Sequence, residues 1–328
     1  MIRGIISEES DVKRILYILV ALVTVFCLVG CGHRAPAQYG RLQVVTSFNA
    51  MTELVKAVGA DKVSVYTIIP DGTEPHDFEL KPEDVRNIAD AQVFVYNGLG
   101  MEAWARQAIE AGGNDQLVTV EAAKGIAPIS LAEDEPETVH PGEEKHHHEN
   151  GGHEDHHHDQ SVDPHAWLSL RNAIVETQNI CDGLVEADPT NAAYYQANAD
   201  RLIHQLQALD QDYAAKFSQV LHRDFVTGHA AFGYLCRDYG LHQSSVEDVF
   251  AEGEPNAQQL AQLVDFARAN AVKVIFAEEM ASPAVSQTLA REVGAQVETL
   301  YTLESNEDDL SYLERMRSNL DTIYRSMQ

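Results

Sequence analysis

The sequence predicts an α/β protein of two lobes, each a parallel sheet covered by helices, with one long helix between them. Strand–helix alternation occurs over residues 42–120 and returns after residue 220, and such alternation implies parallel strands joined by helical crossovers. Between the two stretches, residues 191–219 carry one unbroken helical stripe of apolar positions. A chain of 328 residues has the length for two domains of roughly 150 residues each.

In the first lobe, Leu42–Phe48 (LQVVTSF) is a β-branched apolar run and reads as a buried strand. A helix over Met51–Val58 follows and stops at Gly59. Val63–Ile69 is the second strand, ended by Pro70, and Pro82–Ala89 is a helix with proline in its first turn. Ala91–Tyr96 is the third strand, Met101–Ala111 a helix closed by Gly112 and Gly113, and Leu117–Val120 the fourth strand. In the second lobe the expected strands are Asp224–Val226, Ser244–Val249, Val272–Ala277 and Gln296–Leu300. Its expected helices are Ala230–Tyr239, Asn256–Asn270, Pro283–Val293 and Asp308–Met327. The intervening stripe is Tyr195, Ala199, Leu202, Leu206, Leu209, Tyr213 and Phe217. At 1.5 Å per residue such a helix is a rod of roughly 44 Å, which restricts hinge motion more than a loop would.

Charge narrows the function classes. The 51 acidic residues against 23 basic ones leave −28, a surface that repels nucleic acid and attracts cations. Four cysteines exclude a disulfide scaffold or a cysteine-built zinc ribbon, although Cys181 and Cys236 could pair in an oxidising compartment. At the N-terminus, Lys13 and Arg14 precede an apolar run from Ile15 to Gly30, too short for a spanning helix and typical of a signal peptide. The run ends Leu28-Val29-Gly30-Cys31, which resembles the bacterial lipobox, so Cys31 is the expected lipidation site. The expected organisation is signal peptide 1–30, tether 31–40, N-terminal lobe 41–190, linking helix 191–220 and C-terminal lobe 221–328.

Histidine carries the chemistry. Eight of the 15 histidines fall in one segment: His140, His146, His147, His148, His153, His156, His157 and His158. From Glu133 to Asp159 that segment holds ten acidic residues against Lys145, a net −9, and is too polar to build a core. The loop, residues 133–160, is expected to be disordered and to capture metal weakly at several places. With an ordinary imidazole pKa near 6.5 it would release metal on acidification.

Three other histidines sit where a strand or loop meets a helix: His76 in GTEPHDF, His165 in DPHAW and His229 in TGHAAFGY. In open α/β sheets that edge binds ligands. Glu278, at the end of the apolar strand Val272–Ala277, is a carboxylate that needs a partner there, with adjacent Glu279 as the alternate. Three imidazoles and one carboxylate suit Zn²⁺, whereas Mn²⁺ prefers more oxygen donors. His33, His204, His222 and His242 read as structural or surface residues.

The motifs VTSF (Val45–Phe48), GTEPHDFEL (Gly72–Leu80), AQVFVYNG (Ala91–Gly98), DPHAWL (Asp163–Leu168), GHAAFGYL (Gly228–Leu235) and VKVIFAEEMASP (Val272–Pro283) occur in order over nearly the whole mature chain. Together they resemble the zinc-type solute-binding lipoproteins of metal-importing ABC transporters. The resemblance implies two four-stranded parallel lobes, joined by a rigid helix, with metal in the interlobe cleft. It implies Zn²⁺ as the transported ligand, held by His76, His165, His229 and an acidic residue at the end of the late strand, here Glu278. Manganese-type relatives carry Glu where this chain has His229, and some zinc members carry Glu where it has Pro75. The implied role is an extracytoplasmic or periplasmic receptor, anchored through lipid on Cys31 and acting as a monomer. It would deliver Zn²⁺ to a permease and its ATPase, with no nucleic-acid partner. The competing readings are a zinc-buffering surface lipoprotein or adhesin and a manganese-type receptor. A zinc hydrolase is disfavoured by the lack of an H-E-x-x-H pattern.

Overall fold

The computed structural model describes residues 40–131, 162–249, 257–278, 284–306, 308 and 310–328. The signal peptide, Cys31, the tether, His33, the eight-histidine loop and Glu279 lie outside the described residues. Residues Leu42–Gln328 form one compact unit.

Among the described residues, eight strands make two sheets. The first contains β1 (Leu42–Thr46), β2 (Val63–Thr67), β3 (Val93–Tyr96) and β4 (Val118–Glu121), in the order β2-β1-β3-β4. The second contains β5 (Asp224–Thr227), β6 (His242–Ser245), β7 (Val274–Glu278) and β8 (Gln296–Leu300), in the order β6-β5-β7-β8. Every pairing is parallel. The central strands are apolar because both faces are covered: Val44, Val45, Val93, Phe94 and Val95 are buried, and so is all of β7. In each sheet the chain leaves its first strand to one side and then crosses to the other. The strand order therefore reverses between β1 and β3, and between β5 and β7, which opens a crevice at the C-terminal strand ends.

The described helices are α1 (Asn49–Gly59), α2 (Pro82–Asp90), α3 (Ala105–Gly112), α4 (Leu170–Ala187), α5 (Ala192–Phe217), α6 (Gly233–Tyr239), α7 (Ala257–Ala269), α8 (Ala284–Val293) and α9 (Tyr312–Ser326). The predicted fold class is the observed one, with differences in detail. Helix α4, 18 residues long and capped by Ser169 Oγ accepting from the Asn172 N–H, has no counterpart in the sequence-based reading. Strand β6 begins at His242, not Ser244, so its polar HQSS sequence hid an edge strand with little to bury. Helix α3 begins at Ala105, because residues 98–104 form turns in which Gly98, Leu99 and Gly100 all have positive φ.

All seven positions of the predicted stripe on α5 are buried. Its 26 residues span about 39 Å. It is a packed helix and not a free rod: Asn198 donates to the Val58 carbonyl of α1 at 2.9 Å, and Phe217 meets Tyr324 of α9 edge-on. The largest apolar core runs from β1 and α1 through α4 and α5 to Phe225, Phe276 and α9, so it is continuous between the sheets. Cys181 and Cys236 are buried, unpaired thiols, and burial pushes both thiols up and away from reactivity. Among the described residues no helix is long and apolar enough to cross a membrane.

Candidate metal centre

Each predicted histidine is delivered by a local device. Backbone pairing to the first sheet continues past β2 to Ile69, whose N–H donates to the Ser47 carbonyl. The chain then turns at Pro70–Thr73 and again at Pro75–Phe78, and His76 lies in the second turn. His165 precedes the short helical turn Ala166–Leu168. There Asn97 Nδ2 donates to the Pro164 carbonyl at 2.9 Å and buried Trp167 packs edge-on against Phe48. His229 follows β5, and its carbonyl accepts from Thr227 Oγ1 at 2.7 Å and Gln243 Nε2 at 2.9 Å.

These loops bring three imidazoles together. His165 Nε2 lies 3.2 Å from His76 Nε2 and 3.3 Å from His229 Nε2. A tetrahedron with metal–nitrogen bonds of 2.0–2.1 Å has an edge of about 3.3 Å. Two of the three edges of one coordination face therefore already stand at that spacing, and the third lies within 4.8 Å. His165 and His229 are buried and His76 is half-buried.

Burial also sets protonation. It pushes the imidazoles of His76 and His165 down to about 3. His229 is likewise held well below the ordinary value, by burial and then by the neighbouring His165 and His76. All three are neutral at neutral pH and carry lone pairs for a cation. The Asp163 carboxylate accepts from both His165 Nδ1–H and the His165 backbone N–H, each at 2.9 Å. That fixes the tautomer and aims Nε2 at its neighbours. Burial pushes the Asp163 carboxyl up to about 7, against the pull of the His165 backbone bond.

The carboxylate in this group is Glu304, not the Glu278 expected from the sequence. His76, His165, His229 and Glu304 each offer a donor atom within 4.8 Å of the others, and Glu304 Oε1 stands 3.7 Å from His165 Nε2. Glu278 is buried nearby at the end of β7, but its Oε1 accepts the backbone N–H groups of Gly228 and His229 at 3.0 and 3.2 Å. It is thus engaged by the loop that carries His229. Glu304 lies four residues beyond β8, and its Oε2 accepts from Thr302 Oγ1 at 2.8 Å. The signal that would have found it is the one that found the histidines, a potential ligand in a loop leaving the C-terminal end of a strand. His204, His222 and His242 are exposed and remote from this group.

A family model described as "ZnuA: Zinc-uptake complex component A periplasmic" matches residues 44–326. The chain belongs to the ZnuA family. It is 39% identical over 320 residues to the "High-affinity zinc uptake system protein ZnuA" of Bacillus subtilis, covering 94% of this chain and 97% of that protein. It is 42% identical over 305 residues to a "Putative metal-binding protein" of Treponema pallidum, covering 92% and 93% of the two chains. Among solved structures, the laminin-binding protein of Streptococcus agalactiae, described as bifunctional with adhesin and metal-transporting activity, superposes with a TM-score of 0.75. It shares 31% identity over 88% of this chain and 100% of that one. In this ZnuA-family chain the matched region holds both sheets, save the first two residues of β1, and all four clustered side chains.

Proposed function

We propose that the cleft captures Zn²⁺ on His76, His165, His229 and Glu304, and that the chain presents the ion to an ABC permease and its ATPase for uptake. The observation that carries this reading is the convergence of three neutral Nε2 atoms, 3.2–3.3 Å from their neighbours, beside one buried carboxylate. Three nitrogens and one oxygen are a zinc donor set, whereas manganese favours more oxygens. Four protein donors fill a tetrahedral shell. No position is left for the water that a catalytic zinc activates, so the reading is a receptor and not an enzyme.

The continuous core between the sheets favours release through small tilts and loop movements over wide hinge opening. An export signal followed by lipidation at Cys31 would hold the monomeric chain outside the cytoplasm, on the membrane that carries the permease. The His/acid-rich loop, residues 133–160, would raise the local zinc concentration as an accessory, with the tight site in the cleft.

The test is a zinc titration of residues 32–328 beside a version lacking Glu133–Asp159. One tight site surviving the deletion, with weak sites lost, supports the reading. Loss of tight binding with the loop would make the protein a surface zinc buffer instead. His229→Ala should weaken binding by more than the roughly 100-fold that outer-shell substitutions reach. Unchanged affinity in that variant would remove the cleft assignment.

A further inference from the structure

Residues 301–306 and 308, which include Glu304, are bonded on both sides. From the second lobe, Asn319 of α9 donates to the Tyr301 carbonyl and accepts the Tyr301 N–H, at 2.7 and 2.8 Å. The fully buried Arg315 reaches the Ser305 carbonyl, Asn306 Oδ1 and the Asp308 carboxylate. From the first lobe, Trp167 Nε1 donates to the Thr302 carbonyl at 2.7 Å. Asn49, the first residue of α1, donates to the carbonyls of Leu303 and Ser305 at 3.3 and 3.1 Å, one on each side of Glu304. Leu303 has φ +62°, a left-handed backbone that a γ-branched side chain rarely adopts. Such strain persists only where the surroundings over-determine it, as they do here.

Two further bonds tie this segment to the loop that carries His76. The Gly72 N–H donates to Ser305 Oγ at 2.8 Å, and the Asn306 N–H donates to Asp71 Oδ1 at 2.9 Å. The bonds are reciprocal, one donor from each segment, and they lie four and five residues before His76 and one and two residues after Glu304. We infer that Asp71 and Ser305 are positioning residues of an interlobe clasp that moves Glu304 and His76 as one unit, so that the two ligands engage and leave Zn²⁺ together. This rests on the zinc reading above. In that arrangement a tilt of one lobe does not strip Glu304 alone from the ion. It must either break the clasp or carry the His76 loop with it. Neither Asp71 nor Ser305 is among the metal-grouped side chains, so both act through others.

The test uses the exported form with its loop intact, loaded with Zn²⁺ and challenged with excess chelator. Asp71→Ala should raise the zinc dissociation rate about tenfold, within the range of outer-shell substitutions, and Ser305→Ala similarly. Asp71→Asn, which retains an acceptor oxygen for the Asn306 N–H, should restore the slow rate. The double variant should be no faster than either single one, since both break the same unit. In metal-free protein, Asp71→Ala should speed hydrogen exchange at Gly72 as well as at Asn306, although only the Asn306 bond is deleted. Asp71 is exposed, so this variant tests the clasp even where Ser305→Ala fails to fold. Wild-type dissociation rates in Asp71→Ala, or faster exchange confined to Asn306, would overturn the clasp. Absence of tight zinc binding in the parent protein would instead overturn the zinc reading.

Discussion

Glu278 and Glu304 belong to neighbouring regions of one sheet. Glu278 ends β7 in register with Leu300, and Glu304 stands four residues past Leu300. Both are buried at the same edge. Glu278 has a backbone partner on the adjoining strand's loop, because the Gly228 and His229 N–H groups leaving β5 point at it. Glu304 leaves β8 through a turn whose backbone bonds go to Asn49, Trp167 and Arg315, and its own carboxylate is carried to the imidazoles. A buried carboxylate at a strand end needs compensation, but burial does not say whether amides or a cation will supply it.

The largest expected effect separates the two residues directly. Glu304→Ala should reduce zinc affinity by about 100-fold or more, with little change in the stability of the metal-free protein. Glu278→Ala should do the reverse. It strands two N–H groups in a buried loop, at a cost of ~3 kcal/mol seen as a lowered Tm, while affinity falls less than in the Glu304 variant. Equal affinity losses in the two variants would break the comparison.

A smaller effect sharpens it. A Cβ on Gly228 would lie 2.0 Å from Glu278 Oε2, so Gly228→Ala must displace that carboxylate from the His229 backbone. The expected outcome is an affinity loss of about tenfold through His229, measured by competition with a chelator. No loss would mean that Glu278 does not hold His229 in place.

The smallest effect is in the pH dependence of the metal-free protein. His76 and His165 titrate near 3 when folded and near 6.5 when unfolded. Between those values the unfolded chain binds more protons, so their contribution to stability is lost as pH falls from about 6.5 towards 3. Asp163, raised from 3.8 to about 7, opposes this: its contribution is present below about 4 and is lost as pH rises through 7. His229, also lowered, adds to the histidine side, while buried Glu176, raised to about 8, and Glu102, also raised, add to the carboxyl side, so the imidazole share is read by difference. On acidification from pH 6 to pH 4 the Tm of the parent should fall relative to that of His165→Gln, which has no imidazole to protonate there. An equal change of Tm in the two would show that the His165 imidazole is not desolvated.

The strand–helix alternation and the stripe on α5 were legible in the sequence because they are periodic. The three histidines were legible because each lies in a loop of unusual composition at the end of an element. Helix α4 is not legible, although it carries buried Leu170, Ala173, Ile180 and Leu184, because its start depends on Ser169 capping a chain that has just turned through His165. Glu304 lies, like the histidines, in a loop leaving a strand end, but nothing local in the sequence separates it from Glu278. The position of Glu304 depends on Asn49 and Trp167, which lie more than 100 residues away in sequence and on the other lobe.

The measurement that bears most directly on the central claim is a crystal structure of the zinc-loaded protein, with anomalous scattering recorded at the zinc edge. The account predicts one strong peak bonded at about 2.0–2.2 Å to Nε2 of His76, His165 and His229 and to a carboxylate oxygen of Glu304. It also predicts Glu278 still bound to the amides of Gly228 and His229. A peak ligated by Glu278, or no ordered metal among the three imidazoles, would contradict it.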